Sequence, residues 1–179
     1  MTTILFVCTG NAARSVMGAA MLRAALSDAL PEALDDQVEI TSAGTHSIPG
    51  LPMSTRTRAA LGEFSIIDRD HLSAQLEPDM VDKASVVVIF EPMHLSYMRK
   101  KHAEATARVV SLPRFARDLE PGDLDSFATR LAHLNLEQCE FEPWEEVIDP
   151  AGGDLAVFQA SAAEIHGHIA TLAPKLGAV

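Results

Sequence analysis

Two runs of apolar residues constrain the fold of this chain more than any other feature. Residues 4–7 and 85–90 are apolar or β-branched almost throughout, without the polar alternation of a strand that faces solvent on one side. Such runs indicate strands that are buried on both faces. Residues 38–42 and 108–112 add two shorter strands, and helical segments separate the four. The pattern predicts an α/β fold with a mostly parallel four-stranded central sheet flanked by helices on both faces.

The helices are indicated by capping residues and by the spacing of apolar side chains. Residues 15–30 carry apolar side chains at helical spacing, and Pro31 closes that segment. Ser54 is placed to cap a helix that runs to residue 61. Residues 155–176 read as a final helix with an apolar stripe. These segments alternate with the predicted strands, as an α/β fold requires.

The acidic stretch 114–143 is the least regular part of the chain. It contains a possible helix over residues 123–136, and we interpret the whole stretch as an insertion. No internal repeat or flexible linker divides the sequence. Residues 1–179 are therefore expected to form a single domain with one substantial core.

Charge and cysteine content exclude several classes of function. A formal net charge of -11, from 14 basic and 25 acidic residues, argues against nucleic acid and anionic membrane surfaces as partners. The N-terminus has no basic leader, and we expect a cytoplasmic protein. Two distant cysteines exclude a disulfide framework and a four-cysteine zinc site. No metal is expected either, because ligand spacing is missing from the histidines considered: His46, His94, His102, His166 and His168.

The loop after the first strand carries the chemistry. Cys8 follows the strand, and Arg14 lies at Cys-x5-Arg spacing just before a helix that Ser15 opens. Backbone N–H groups of such a loop can converge on one centre, and the helix dipole adds positive potential there. Arg14 can hold two phosphate oxygens, and the same field favours the thiolate form of Cys8. Gly10 permits close approach or positive φ, whereas Asn11 tolerates the left-handed conformation.

Residues 7–15 resemble the signature loop of the low-molecular-weight protein tyrosine phosphatases, which one class of arsenate reductases shares. Residues 42–45 resemble the second-strand motif of this family. His71 and Gln75 match its His-x-x-x-Gln segment. Asp149 and Pro150 match its general-acid loop. The resemblance therefore covers most of the chain.

The resemblance implies hydrolysis of phosphomonoesters, of phosphotyrosine in proteins above all, through a cysteinyl-phosphate and without a cofactor. Cys8 would be the nucleophile, Arg14 would bind the phosphoryl group, and Asp149 would be the general acid. Phosphorylated proteins or small aryl phosphates would be the substrates. The alternatives are an arsenate reductase coupled to a low-molecular-weight thiol and, less favoured, a phospho-binding pseudophosphatase. The resemblance also implies substrate-binding loop residues, which are Thr9, Gly10, Asn11, Ala12, Ala13 and Ser15, and supporting residues, which are Ser42 and His71.

The sequence departs from the family pattern at three positions that bear on chemistry. Ala13 stands where the family often has a second cysteine, so oxidised Cys8 would lack its usual resolving partner. Ala151 and a residue near Ile48 stand where aromatic walls flank a substrate ring. We therefore expect weak affinity for isolated phosphotyrosine. Cys139 is expected to be a plain thiol.

Overall fold

The computed structural model of the protein describes residues 1–29 and 37–177, and its centre is a parallel sheet. The strands are β1 (Thr2–Cys8), β2 (Val38–Gly44), β3 (Val86–Ile89) and β4 (Val109–Ser111). Their order is β2-β1-β3-β4, and every pairing is parallel. The predicted α/β fold with a four-stranded parallel sheet is confirmed.

Helices follow or precede each strand of the sheet. They are α1 (Arg14–Ala29), α2 (Thr55–Gly62), α3 (Pro78–Lys83), α4 (Pro92–Lys101), α5 (Leu112–Asp118), α6 (Phe127–Ala132) and α7 (Leu155–Leu176). Three 3-10 turns occupy Ala103–Arg108, Leu136–Gln138 and Pro143–Glu145. None of the helices in the described ranges is both long enough and apolar enough to cross a membrane.

Each face of the sheet is covered by its own apolar layer. Phe6 and Val88 point into a layer formed with α1, α2, α5 and α7. Val7 and Val87, their neighbours in sequence, point into the opposite layer with α3 and α4. Alternation of side chains along a strand sends successive residues to opposite faces, and both faces here are apolar. This arrangement accounts for the unbroken apolar runs in the sequence.

Element bounds agree closely with the sequence prediction in most places. Ser54 accepts a hydrogen bond from Thr57 N–H at 3.0 Å and caps α2, as predicted. The final helix spans the predicted residues. The helix predicted over residues 15–30 begins one residue earlier, and its predicted end at residues 30 and 31 lies outside the described residues.

The helix predicted over residues 123–136 is wrong in extent. Only Phe127–Ala132 is α-helical, because Asn135 takes a left-handed backbone with φ of 49° and a separate 3-10 turn follows it. The stretch 114–143 lies partly under α7, since buried Arg130 donates to the carbonyl of Lys175 at 2.8 Å. Its interpretation as an insertion stays a prediction.

Candidate active site

Cys8 and Arg14 lie at opposite ends of one loop, where the first strand passes into the first helix. Cys8 is the last residue of β1 and Arg14 the first of α1, and both side chains are buried. Ser15 Oγ lies 2.9 Å from Cys8 Sγ. The loop sits at the carboxyl end of the sheet, where parallel α/β sheets bind their ligands. A cavity of about 340 Å³ opens on it.

Asn11 holds the curled shape of the loop through hydrogen bonds of its buried side chain. It is fully buried and has a φ of 49°, the left-handed conformation expected from the sequence. Its amide nitrogen donates to Ser15 Oγ and Ser42 Oγ, each at 2.9 Å, and its amide oxygen accepts from Ala74 N–H at 2.8 Å. Because Ser15 Oγ accepts from Asn11, the Ser15 hydroxyl hydrogen is free to point at Cys8 Sγ.

Gly44 and His71, both from the matched motifs, brace the loop from outside. A Cβ at Gly44 would lie 2.7 Å from Thr9 O and 2.9 Å from Asn11 N, so this position has no room for a side chain. His71 Nε2 lies 3.1 Å from the carbonyl oxygen of Asn11. Gln75 donates to Thr45 O at 3.1 Å in the adjoining loop. Gly10 does not take the positive φ that the sequence allowed, and its α-carbon faces open space in the cavity.

The loop presents donors without acceptors. Among the residues described, the backbone N–H groups of Gly10, Ala12 and Ala13 have no protein acceptor. Arg14 Nη1 is buried and likewise has no partner in the described part of the chain. An unpaired buried donor costs about 1–3 kcal/mol, more when it is charged, so Arg14 Nη1 favours an anionic ligand, and the loop amides of the exposed or half-buried residues can donate to the same ligand. The predicted anion-binding loop is therefore present in geometry.

Arg14 is also in contact with two carboxylates. Its Nη2 lies 2.8 Å from Glu91 Oε1 and 3.2 Å from Asp149 Oδ1. Hydrogen bonds from His94 and Arg14 lower the pKa of Glu91 from 4.5 to about 2, although partial burial opposes this shift. The structure thus brings predicted Cys8, Arg14 and Asp149 to one cavity and adds Glu91.

Glu91 was not anticipated from the sequence, although a signal was available. It lies just after Phe90, the residue that follows β3, and precedes Pro92 at the start of α4, so it lies at the carboxyl end of the sheet, where parallel sheets bind ligands. A residue at this position normally caps the helix, but the Glu91 side chain makes no capping hydrogen bond and turns to Arg14 instead. His94, considered above only as a metal ligand, lies one turn later and contacts Glu91.

The segment that carries Asp149 is anchored on both sides. Val147 N–H donates to Phe90 O at 2.9 Å, and Ser161 Oγ of α7 donates to Ile148 O at 2.8 Å. Ala151 N–H donates to Asp149 Oδ1 at 3.1 Å, which orients the carboxylate. The Asp149 side chain is 46% exposed, so it meets both the cavity and solvent.

The apolar lining of the cavity includes aliphatic side chains and one aromatic side chain. Ala151 lines the cavity, as the sequence indicated, together with Met93 and Phe158. Ile48, expected near the opposite wall, is wrong in that role: it is 70% exposed and does not line the cavity. The β2–α2 loop instead turns outward after Ser47, whose hydroxyl donates to Gly10 O. Phe158, on α7, was not anticipated because its spacing marks it as a core residue.

Comparison with known proteins agrees with this geometry. The sequence model of a family described as low molecular weight phosphotyrosine protein phosphatase matches residues 3–126. A protein-arginine-phosphatase from Geobacillus stearothermophilus is 30% identical over 173 residues, 97% of this chain and 95% of its own length. A low molecular weight protein-tyrosine-phosphatase from Streptomyces coelicolor is 34% identical over 127 residues, 68% of this chain and 74% of its own length.

Solved structures extend the likeness to the fold. An arginine phosphatase from G. stearothermophilus superposes with a TM-score of 0.73 and 28% identity, covering 97% of this chain and 91% of that one. A low molecular weight protein tyrosine phosphatase from T. tengcongensis gives a TM-score of 0.74 and 26% identity, covering 98% and 100%.

Cys8 and Arg14 thus lie at the two ends of one loop that lines the cavity, with the carboxylate of Asp149 beside them. The chain belongs to the low molecular weight phosphotyrosine protein phosphatase family. The resemblance noted in the sequence is confirmed, and the enzyme is a hydrolase of the phosphatase class.

Proposed function

We propose that this chain removes the phosphoryl group from phosphotyrosine side chains of proteins, through a covalent phosphate on Cys8. The observation that carries the proposal is the buried Arg14 Nη1, unpaired among the described residues and adjoining the cavity that Cys8 and Asp149 line. A dianionic phosphoryl group would satisfy this donor and the free loop amides together. The supporting roles of Ser42 and His71 rest on the contacts that each makes with Asn11.

The proposed reaction has two displacement steps at phosphorus. Cys8 attacks as a thiolate and forms the S–P bond, while the P–O bond to the substrate breaks and Asp149 gives its proton to the leaving oxygen. Asp149 then takes a proton from water, whose oxygen attacks phosphorus. The S–P bond breaks, and inorganic phosphate and the thiolate are released. Arg14 and the loop amides stabilise the equatorial oxygens in both steps, and the Ser15 hydroxyl stabilises the sulfur as it leaves.

Phosphoarginine is a second candidate substrate, which two observations favour. Two relatives that each match 97% of this chain are named protein-arginine-phosphatase. In addition, two carboxylates, from Glu91 and Asp149, line the cavity, whereas Ala151 offers a substrate ring no aromatic wall. Carboxylates attract a guanidinium group, and a phenol ring gains more from aromatic contact. Phe158 provides one such contact for phosphotyrosine.

Phosphate release from matched peptides that carry phosphotyrosine, phosphoarginine or phosphoserine tests the proposal. We expect release from the phosphotyrosine peptide by the wild type and by Cys139→Ser, and none by Cys8→Ser, which still binds inorganic phosphate. Mass spectrometry of quenched wild type should detect a phosphate on Cys8. Faster phosphate release from the phosphoarginine peptide than from the phosphotyrosine peptide would identify phosphoarginine as the substrate. No release from any peptide, or turnover by Cys8→Ser, would contradict the covalent mechanism.

The arsenate reductase alternative can be tested on the same preparation. Arsenate is supplied with glutathione or another low-molecular-weight thiol, and arsenite is measured. We expect no reduction above that of Cys8→Ser. Arsenite formation without phosphate release from any peptide would replace the phosphatase proposal.

A further inference from the structure

The orientation of Arg14 decides where its free nitrogen points. The guanidinium is planar, and its Nη2 is occupied by Glu91 at 2.8 Å and by Asp149 at 3.2 Å. Fixing Nη2 therefore fixes the direction of Nη1, the buried donor that has no partner among the described residues. Of the two carboxylates, Glu91 is the better anchor, because its side chain is 13% exposed and that of Asp149 is 46% exposed.

Glu91 is in turn held by His94, which is fully buried in the first turn of α4. His94 Nε2 lies 3.0 Å from Glu91 Oε1 and 3.1 Å from Thr9 Oγ1. Phe90 N–H donates to His94 Nδ1 at 3.4 Å, so Nδ1 is the acceptor and Nε2 carries the ring proton. The imidazole of His94 thus contacts Thr9 in the loop, Glu91 beside Arg14, and the backbone of Phe90, the residue that follows β3.

The ring is suited to hold Glu91 without changing the charge of the site. Burial lowers the pKa of His94 below its usual 6.5, although Glu91 opposes this shift, and the ring is neutral near pH 7. The charged groups that act on it are Glu91, Arg14 and Asp149. The neutral N–H group of His94 holds the Glu91 carboxylate and adds no charge to the site, so Arg14 supplies the positive charge that attracts an anion.

We propose that His94 is a positioning residue for the phosphatase reaction, which holds Glu91 so that Arg14 presents Nη1 to the phosphoryl group. This inference rests on the proposed function. It follows the unbroken series of contacts from His94 Nε2 to Glu91 Oε1 and on to Arg14 Nη2. Removal of a residue that orients a binding side chain commonly lowers affinity or activity by roughly 10- to 100-fold.

Two substitutions of His94 separate positioning from simple packing. Gln places an amide N–H close to the position of Nε2, whereas Leu keeps much of the volume and has no donor. His102→Gln is the matched control. His102 is a second buried histidine just after α4, its ring lies beside Tyr97, and it contacts neither Glu91 nor Arg14 in the described part of the chain. Each variant is assayed for kcat and KM with an aryl phosphate, for binding of inorganic phosphate and vanadate by calorimetry, and for melting temperature.

We expect His94→Leu to lower kcat/KM and to weaken phosphate binding by roughly 10- to 100-fold, His94→Gln to recover most of both, and the control to retain both. In a protein that already carries Glu91→Gln, substitution of His94 should change phosphate affinity and kcat/KM very little, because the series of contacts is already broken. A folded His94→Leu protein that keeps the phosphate affinity and activity of the control would overturn the proposal. A folded His94→Gln protein that keeps them would support it.

Two further outcomes decide the case. If His94→Leu does not fold, His94→Asn takes its place, because the shorter side chain cannot bring a donor to Glu91. It is measured alone and combined with Glu91→Gln, and strictly additive losses in phosphate binding would overturn the proposal. Phosphate binding requires no turnover, so a wild type that binds phosphate but releases none from any substrate contradicts the proposed function and leaves the role of His94 in anion binding measurable.

Discussion

Asp149 Oδ1 lies 3.2 Å from Arg14 Nη2, although these residues come from opposite parts of the chain. The last helix makes this contact possible, because Ser161 and Glu164 of α7 hold the Ile148 backbone just before Asp149. The proposed acid and the proposed phosphate ligand are thus oriented by each other before substrate arrives. Within residues 1–29 and 37–177, Arg14 Nη1 has no partner, and in the proposed reaction it binds the phosphoryl group.

Asp149→Asn should slow substrates according to their leaving groups. Loss of a general acid costs about 10²- to 10⁴-fold for esters whose leaving oxygen needs a proton, and much less for activated aryl esters. A series of aryl phosphates of graded leaving-group pKa measures the effect. Asp154→Asn is the control: Asp154 caps α7 through Val157 N–H, and because Asn caps a helix about as well as Asp, the control should keep both stability and the rates of the whole series. Equal losses across the series would show that Asp149 acts only as a structural residue.

Gly44→Ala should damage the loop although Gly44 does not line the cavity. The added Cβ would press on backbone atoms of Thr9 and Asn11, which cannot move without the loop. We expect a loss of about 1–3 kcal/mol in unfolding free energy and at least about tenfold weaker phosphate binding. Gly167→Ala is the matched control, because nothing lies within 4 Å of its added Cβ in α7. It should raise stability by about 0.5–1 kcal/mol with unchanged binding. Normal phosphate binding by Gly44→Ala would refute the bracing role.

Ala151→Tyr should restore an aromatic wall. Ala151 lines the cavity beside Asp149, and a ring there is worth about one aromatic contact. We expect KM for aryl phosphates to fall roughly two- to tenfold, with no change for alkyl phosphates of similar size. Ile48→Tyr serves as the control, because Ile48 does not line the cavity. Equal effects on aryl and alkyl substrates would exclude position 151 from ring recognition.

Glu91→Gln should change how the free energy of unfolding depends on pH. In the unfolded chain this carboxyl takes up a proton near its usual pKa of 4.5, but in the folded protein its pKa is lowered to about 2, chiefly by the His94 hydrogen bond. The contribution of Glu91 is therefore complete above pH 4.5 and is lost as pH falls toward 2. Urea unfolding between about pH 5 and pH 3 should show a shallower decline for Glu91→Gln than for wild type. The exposed Glu104→Gln is the control, and parallel curves for wild type and Glu91→Gln would contradict the assignment.

The sheet could be predicted from the sequence because burial on both faces leaves a direct trace, the unbroken apolar runs. The loop could be predicted because Cys8 and Arg14 are close along the chain, so local geometry determines their relation. Glu91 and His94 were not predicted, because their role depends on the pairing of β3 with β1 and on a Glu91 side chain that turns to Arg14 instead of capping α4. Phe158 has the spacing of a core residue, and spacing does not reveal which core residue also borders a cavity.

The packing of α7 has a consequence for how this enzyme loses activity. Phe158, Ile165, Ile169 and Leu172 share one apolar layer with α1, the helix that begins at Arg14. The same α7 holds the segment of Asp149 through Ser161. Detachment of α7 from α1 would withdraw Asp149, the proposed acid, and loosen the end of the loop at Arg14 in a single local unfolding event. Inactivation by heat should therefore follow the exchange of α7 amide hydrogens and precede melting of the central strands.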